Sequence, residues 1–358
     1  MAQHALHRAL RKDRALRKGS ARPSGGALRG KARVLAPIAA LALVPLAGIL
    51  SGCGVIGGGN AAAQAAPGPL ETTVLNVAAV PSVDSAGFFV ALYEGLFKAQ
   101  GLTIRYTPAL SSDTVIDAQV AGQYDITAGN YVSYVQHEVF QHQQLEIVAE
   151  GSLMQQGSQA IYTLPNSPIK TLADLRGHTL GTNAPKNINY LLASSVLTED
   201  GLSPNAVRFT TQPIAFPNLI TELAKHQIDA AALPEPFATM AEEQLGATAL
   251  ADMNQGATQE FPILGYVVTK QWAQAHPNTL RAFLTALEEG QQIADTKRGQ
   301  VEAAMEKLTG TPAIIADVMA FNSYPIGVDQ ARLQRIPDVM YQFGILSKPF
   351  DISQMLAP

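Results

Sequence analysis

One phrase occurs twice in this chain, about a hundred residues apart, and it restricts the fold more than any other feature. Gly101-Leu102, a short β-type run, a helical run, then Gly122-Gln123-Tyr124-Asp125 and a second short strand form the first copy. Gly201-Leu202, strand, helix, His226-Gln227-Ile228-Asp229 and strand form the second. Strands that alternate with helices imply parallel βαβ units, so a repeat of this kind predicts two similar α/β lobes. Thr73 to Val80, Leu102 to Tyr106, Asp125 to Ala128 and Leu145 to Ala149 read as strands of the first lobe, with a helix around Asp113–Ala121. In the second copy Phe216, Leu219, Ile220 and Leu223 fall on one helical face. From Pro277 to Gly344 the pattern is mostly helical, with periodic segments at Leu280–Ile293, Val301–Leu308, Pro312–Phe321 and Gln330–Phe343.

The charge is divided unevenly. Residues 1–33 hold ten of the 25 Lys and Arg residues and a single acid, Asp13. From Cys53 onward fifteen basic residues face twenty-eight acidic ones. A body that acidic argues against nucleic acid as the partner, because phosphate neutralisation needs Lys and Arg. Val34 to Leu50 is apolar with a basic segment before it, which reads as a secretion signal. With its prolines it is short for a spanning helix of about 20 residues. Leu50-Ser51-Gly52-Cys53 resembles the bacterial lipobox, and Cys53 is the only cysteine in the chain. The expectation is a lipidated Cys53 that anchors the protein to the outer side of the cytoplasmic membrane; the plainer alternative is a signal anchor with an incidental cysteine. Residues 54–70 are Gly, Ala and Pro with little to bury and read as a flexible tether.

Enzyme signatures are missing. No Gly-x-Ser-x-Gly elbow, His-Glu-x-x-His pair or Walker loop occurs. His137 and His142, five apart, would lie about 140° apart around a helix and so diverge rather than hold a metal. No metal and no cofactor is expected.

In open α/β sheets ligands sit beyond the carboxyl ends of strands, beside helix N-termini. Four such places can be read: Ser82 to Phe88, with Asp84, Ser85 and Phe88; Gly129-Asn130-Tyr131; Thr182 to Asn187, with Thr182, Asn183, Lys186 and Asn187; and Pro234-Glu235-Pro236-Phe237. Phe216 joins them as an aromatic wall. Each residue has a plainer use, since Ser, Thr, Asp and Asn are ordinary N-caps and Tyr131, Phe216 and Phe237 could equally be core. Lys186 with Thr182 and Asn183 favours an anion. Asp84 and Glu235 would oppose one and would suit an amine, or the ring N–H groups of a pyrimidine stacked on an aromatic. A zwitterion such as taurine would satisfy both.

Phe89 to Leu102, with Ala91, Gly95, Phe97, Gly101 and Leu102, resembles a segment of the sulfonate/nitrate/taurine-type substrate-binding proteins of ABC importers, a family that also includes binders of a thiamine pyrimidine precursor. Gly122 to Asp125, the run from Ile169 to Gly181 (with His178 where Lys is usual) and Glu235-Pro236-Phe237 follow in the family's order. The resemblance covers about residues 72–345. It implies a type II periplasmic-binding-protein fold: two α/β lobes joined by two crossing strands, placed near Ser158–Tyr162 and Pro262–Thr269, with a cleft between them. Residues 1–52 would then be the signal, 53–71 the lipidated Cys53 and tether, 72–157 plus 263–358 lobe 1, and 158–262 lobe 2. It further implies a monomeric, membrane-tethered receptor that captures a small organic solute, sulfonate-like or nitrogen-containing, by hinge closure and delivers it to a permease and its ATPase. A ligand sensor for a membrane kinase is the alternative. An enzyme on the same fold is disfavoured, because the related pyrimidine-precursor synthases carry a cysteine-rich motif and no cysteine follows Cys53.

Overall fold

Two five-stranded sheets with the same strand arrangement build the protein. The computed structural model describes residues 68–357; the signal segment, Cys53 and most of the tether lie outside the described residues. β1 (Val74–Ala79), β2 (Thr103–Pro108), β3 (Ile126–Asn130), β4 (Leu145–Leu153) and β10 (Pro262–Thr269) form the first sheet, in the order β2-β1-β3-β10-β4. β5 (Gln159–Thr163), β6 (Thr179–Gly181), β7 (Arg208–Phe209), β8 (Ala230–Pro234) and β9 (Thr248–Asp252) form the second, in the order β7-β6-β8-β5-β9. In each sheet the strand that the chain enters after changing sheets, β10 or β5, runs antiparallel to its two neighbours. The first three strands of each are parallel. The chain changes sheet at 154–158 and returns at 253–261.

The repeated phrase has a shared structural cause. Gly101 and Gly201 both adopt φ +78, a left-handed conformation that costs glycine little. Each ends a helix with the same turn: Leu102 N–H donates to Phe97 O and Leu202 N–H to Leu197 O, both at 2.9 Å. Asp125 and Asp229 then act alike. The Asp125 carboxylate accepts from Asn76 N at 2.7 Å and that of Asp229 from Thr179 N at 2.7 Å. Their own N–H groups donate to Asn76 O and Thr179 O at 2.9 Å. Each aspartate thus fixes the start of a strand against the parallel strand beside it.

The core is apolar on both faces of the central strands, with Leu75, Val77, Ala78 and Ala79 of β1 and Ala230 to Leu233 of β8 fully buried. β2 is an edge strand with alternating exposure and a terminal Pro108 that needs no ladder donor. The helix Pro277–Thr296 starts on proline and crosses the helix Ala86–Tyr93 at Gly290, where an added Cβ would lie 2.5 Å from Gly87 O.

The chain departs from the sequence reading in three places. The crossings expected near Ser158–Tyr162 and Pro262–Thr269 lie just before them, at 154–158 and 253–261, because those two runs are spent on pairing within one sheet as β5 and β10. β4 runs on to Leu153 because β10 pairs with it along its whole length. The segment Pro312–Phe321 is helical only over Ala313–Ala316. The Arg298 guanidinium, from the preceding helix, donates to the carbonyls of Ala316, Asp317 and Met319 at 3.0–3.3 Å. Ser323 then pairs with Leu153 of β4.

Candidate functional site

The carboxyl ends of β1, β3, β6 and β8 meet at one inner chamber of about 30 Å³. The first sheet contributes Val80, Asp84, Ser112, Asn130, Ile263 and Leu264; the second contributes Gln159, Asn183, Ile188, Asn189, Phe216 and Pro234. Beside it, sharing Val80 and Phe216 as lining residues, lies an outer slot of about 260 Å³ whose walls are mostly proline, Leu110, Phe216, Phe237 and Met240. The Phe216 and Phe237 rings stack at 5.1 Å between centroids. No Lys, Arg or His among the described residues lines either space.

Asp84 is the charged group of the chamber. It sits in a 3-10 turn immediately after β1 and is buried. Three donors converge on it: Asn322 Nδ2 at 2.7 Å and Gln159 Nε2 at 3.4 Å on Oδ1, and the Ser82 hydroxyl at 2.8 Å on Oδ2. Burial pushes its carboxyl above the usual range, and those donors pull the other way. Asn130 caps the helix Tyr131–Gln141 by accepting from Ser133 N, while its Nδ2 donates to Ser112 Oγ at 2.9 Å. β3 therefore passes straight into the helix with no loop. Asn183 accepts from Asn187 Nδ2 at 2.6 Å, and Asn187 in turn caps the helix Ile188–Glu199.

Of the residues expected at the site, the chamber and slot bring together Asp84, Asn130, Asn183, Phe216 and Phe237. The others lie elsewhere. Phe88 is in an aromatic core cluster with Phe89, Phe97 and Tyr106. Tyr131 is fully buried against Gly265. Ser85 is buried outside the lining, and Thr182 is used by Thr210, whose hydroxyl lies 3.1 Å away. Asn187 spends its side chain on the cap and on Asn183. Lys186 is exposed at a left-handed position, φ 52, and reaches the other lobe only through its carbonyl, which accepts from Gln136 Nε2 at 2.7 Å.

Glu235 is turned away from the chamber. Its Oε1 accepts from the Thr239 hydroxyl at 2.7 Å and from Ala320 N at 3.2 Å, and its Oε2 from Thr239 N at 3.1 Å. Burial raises its carboxyl from 4.5 to about 7 against those hydrogen bonds. It joins the lobes instead, since Ala320 belongs to the chain after β10 and Val83 N donates to the Glu235 carbonyl at 3.1 Å.

Ser112, Gln159 and Asn189 were not anticipated. Asn189 is the third asparagine in Asn183 to Asn189 and could have been found by that density. Gln159 carries no local signal, because a polar residue opening the apolar run Ala160-Ile161-Tyr162 looks like an ordinary strand end.

A family model described as NMT1/THI5 like matches residues 82–297, more than half of the chain. An Escherichia coli (strain K12) protein named for binding aliphatic sulfonates is 28% identical over 211 residues, 56% of this chain and 62% of its own length. A riboflavin-binding protein of Chloroflexus aurantiacus is 23% identical over 323 residues, 82% of this chain and 88% of its own. The solved alkanesulfonate-binding protein of Xanthomonas axonopodis pv. citri superposes with a TM-score of 0.68 at 15% identity, covering 81% of this chain and 99% of that one. The structural likeness establishes the two-lobed periplasmic-binding-protein fold.

Proposed function

Since the chain belongs to the NMT1/THI5-like family, we propose that it is the solute-binding component of an ABC importer, whose permease and ATPase receive what it captures. It acts as a monomer outside the cytoplasmic membrane, tethered through a lipidated Cys53. Residues 72–157 with 263–358 and residues 158–262 move as two lobes about the connections between the sheets, and closure encloses the solute. The observation that carries this reading is the convergence of strand ends from both sheets on one polar chamber, the place where α/β sheets hold ligands. Direct bonds already join the two lobes, from Gln159 to Asp84 and from Val83 to the Glu235 carbonyl.

The chemistry of the walls favours a nitrogen-bearing organic solute over a sulfonate or nitrate. An anion in the chamber would meet the Asp84 carboxylate with no lining cation to offset it. The apolar slot supplies area for a ring or alkyl body, which an inorganic ion would leave unused.

Thermal unfolding of the protein against alkanesulfonates, taurine, nitrate, bicarbonate and heterocyclic amines tests both levels. A ligand at about 100 times its Kd adds about 2.7 kcal/mol of stability, and the amines are expected to give it. Asp84→Asn should weaken them at least tenfold. Shifts from the sulfonates or nitrate alone would overturn the ligand class, and silence across the whole panel would overturn the receptor reading.

A further inference from the structure

On the receptor reading just given, we propose that Gln159 selects the ligand, and that the ligand has two parts: an amino group whose N–H meets Gln159 Oε1 in the inner chamber, and an aromatic or other apolar body in the outer slot.

Gln159 opens β5, lines the chamber and is 1% exposed. Its amide orientation follows from its neighbour: Nε2 faces Asp84 Oδ1 at 3.4 Å, where a carbonyl oxygen would meet a carboxylate with no proton between them. Asn322 Nδ2 approaches the same oxygen at 2.7 Å, which marks it as an acceptor. The other end of the Gln159 amide, Oε1, is then a buried acceptor with no protein partner. Buried polar atoms in folded proteins are nearly always paired; among the described side-chain atoms that lack a partner, Gln159 Oε1 is the one on a residue lining the chamber or the slot, where a donor on the ligand would complete it.

Volume separates the two parts. The chamber, at about 30 Å³, exceeds the roughly 10–15 Å³ that one water-sized group requires, so it admits an amino group. A sulfonate, with three acceptor oxygens and no donor, would present acceptors to an acceptor. The remainder of the ligand must lie in the slot of about 260 Å³, where the stacked Phe216 and Phe237 rings and five proline residues favour a flat apolar body.

The test is calorimetric titration of the protein with three soluble probes that share one ring: aminomethylpyridine, methylpyridine and pyridinesulfonate. Aminomethylpyridine is expected to bind at least about tenfold more tightly than methylpyridine, the cost of leaving a buried hydrogen-bonding group unsatisfied. Gln159→Met, of similar length, should bring that ratio to near one. Equal binding of the two to the native protein would overturn the proposal, and that comparison needs no variant to fold. So would an unchanged ratio in Gln159→Met, or tightest binding by pyridinesulfonate. If none of the three binds while an alkanesulfonate or nitrate does, the proposal fails and the receptor reading stands. If nothing in either panel binds, the receptor reading itself is what fails.

Discussion

Substituting Glu235 by glutamine should change how the stability of the protein depends on pH, and the size of the change follows from where the side chain sits. Its carboxyl is 4.5 in ordinary surroundings and about 7 in the folded protein, with burial the largest cause and the bonds from Thr239 and Ala320 opposing it. Between those values the folded protein holds a proton that the unfolded chain has released. Stability from this group is therefore fully present below 4.5, falls as pH rises toward 7 and is constant above that. A shift from 4.5 to about 7 corresponds to about 3 kcal/mol. Glutamine cannot ionise, so the Glu235→Gln variant loses this slope. It keeps one carbonyl acceptor and turns the other acceptor into a donor, which adds an offset that does not vary with pH. Urea unfolding followed by circular dichroism from pH 4.5 to 8.5 separates the two contributions. The native protein should lose about 3 kcal/mol relative to the variant across that window, with other titrating groups, Asp84 among them, cancelling in the difference. Parallel profiles would falsify the assignment, and so would a difference of opposite sign.

Three further substitutions, the first also combined with Glu150→Gln, test contacts away from the cleft. Glu150 has a side chain only 1% exposed and is held by Arg332 through Nε at 2.7 Å and Nη2 at 2.9 Å, and by Asp329 N. Arg332→Ala leaves most of that buried charge uncompensated and should cost about 3–5 kcal/mol, read as a fall in the urea midpoint; adding Glu150→Gln should restore part of it. Gly290→Ala places a Cβ 2.5 Å from Gly87 O and 2.6 Å from Ala91 Cβ, forcing two helices apart at about 1–3 kcal/mol. Gly299→Ala, in the next helix with nothing within 4 Å of the added Cβ, should be neutral or gain up to about 1 kcal/mol.

The repeat could be read from the sequence because each copy is completed locally. Gly101 and Gly201 close turns within a few residues, and Asp125 and Asp229 clamp the neighbouring parallel strand in the same way in both lobes. The strand ends that would meet at a cleft were readable for the same reason: a strand, a polar turn and a helix are consecutive. Which polar side chain remains for a ligand was not, since that depends on competition among partners far apart in the chain. Glu235 and Asp84 look equivalent in sequence, each an acid after a strand. Ala320, 85 residues further on, and Thr239 take the first. Asn322, 238 residues further on, and Gln159 orient the second within the chamber wall. Lys186 looked like the cation of an anion site, yet its left-handed backbone sends its carbonyl to Gln136 and leaves the side chain in solvent. The same competition distinguishes Gln159. Asp84 uses its amide nitrogen and no protein group uses its oxygen, so among the described residues lining the chamber Gln159 is one with no local sequence signal whose hydrogen bonding the fold leaves incomplete.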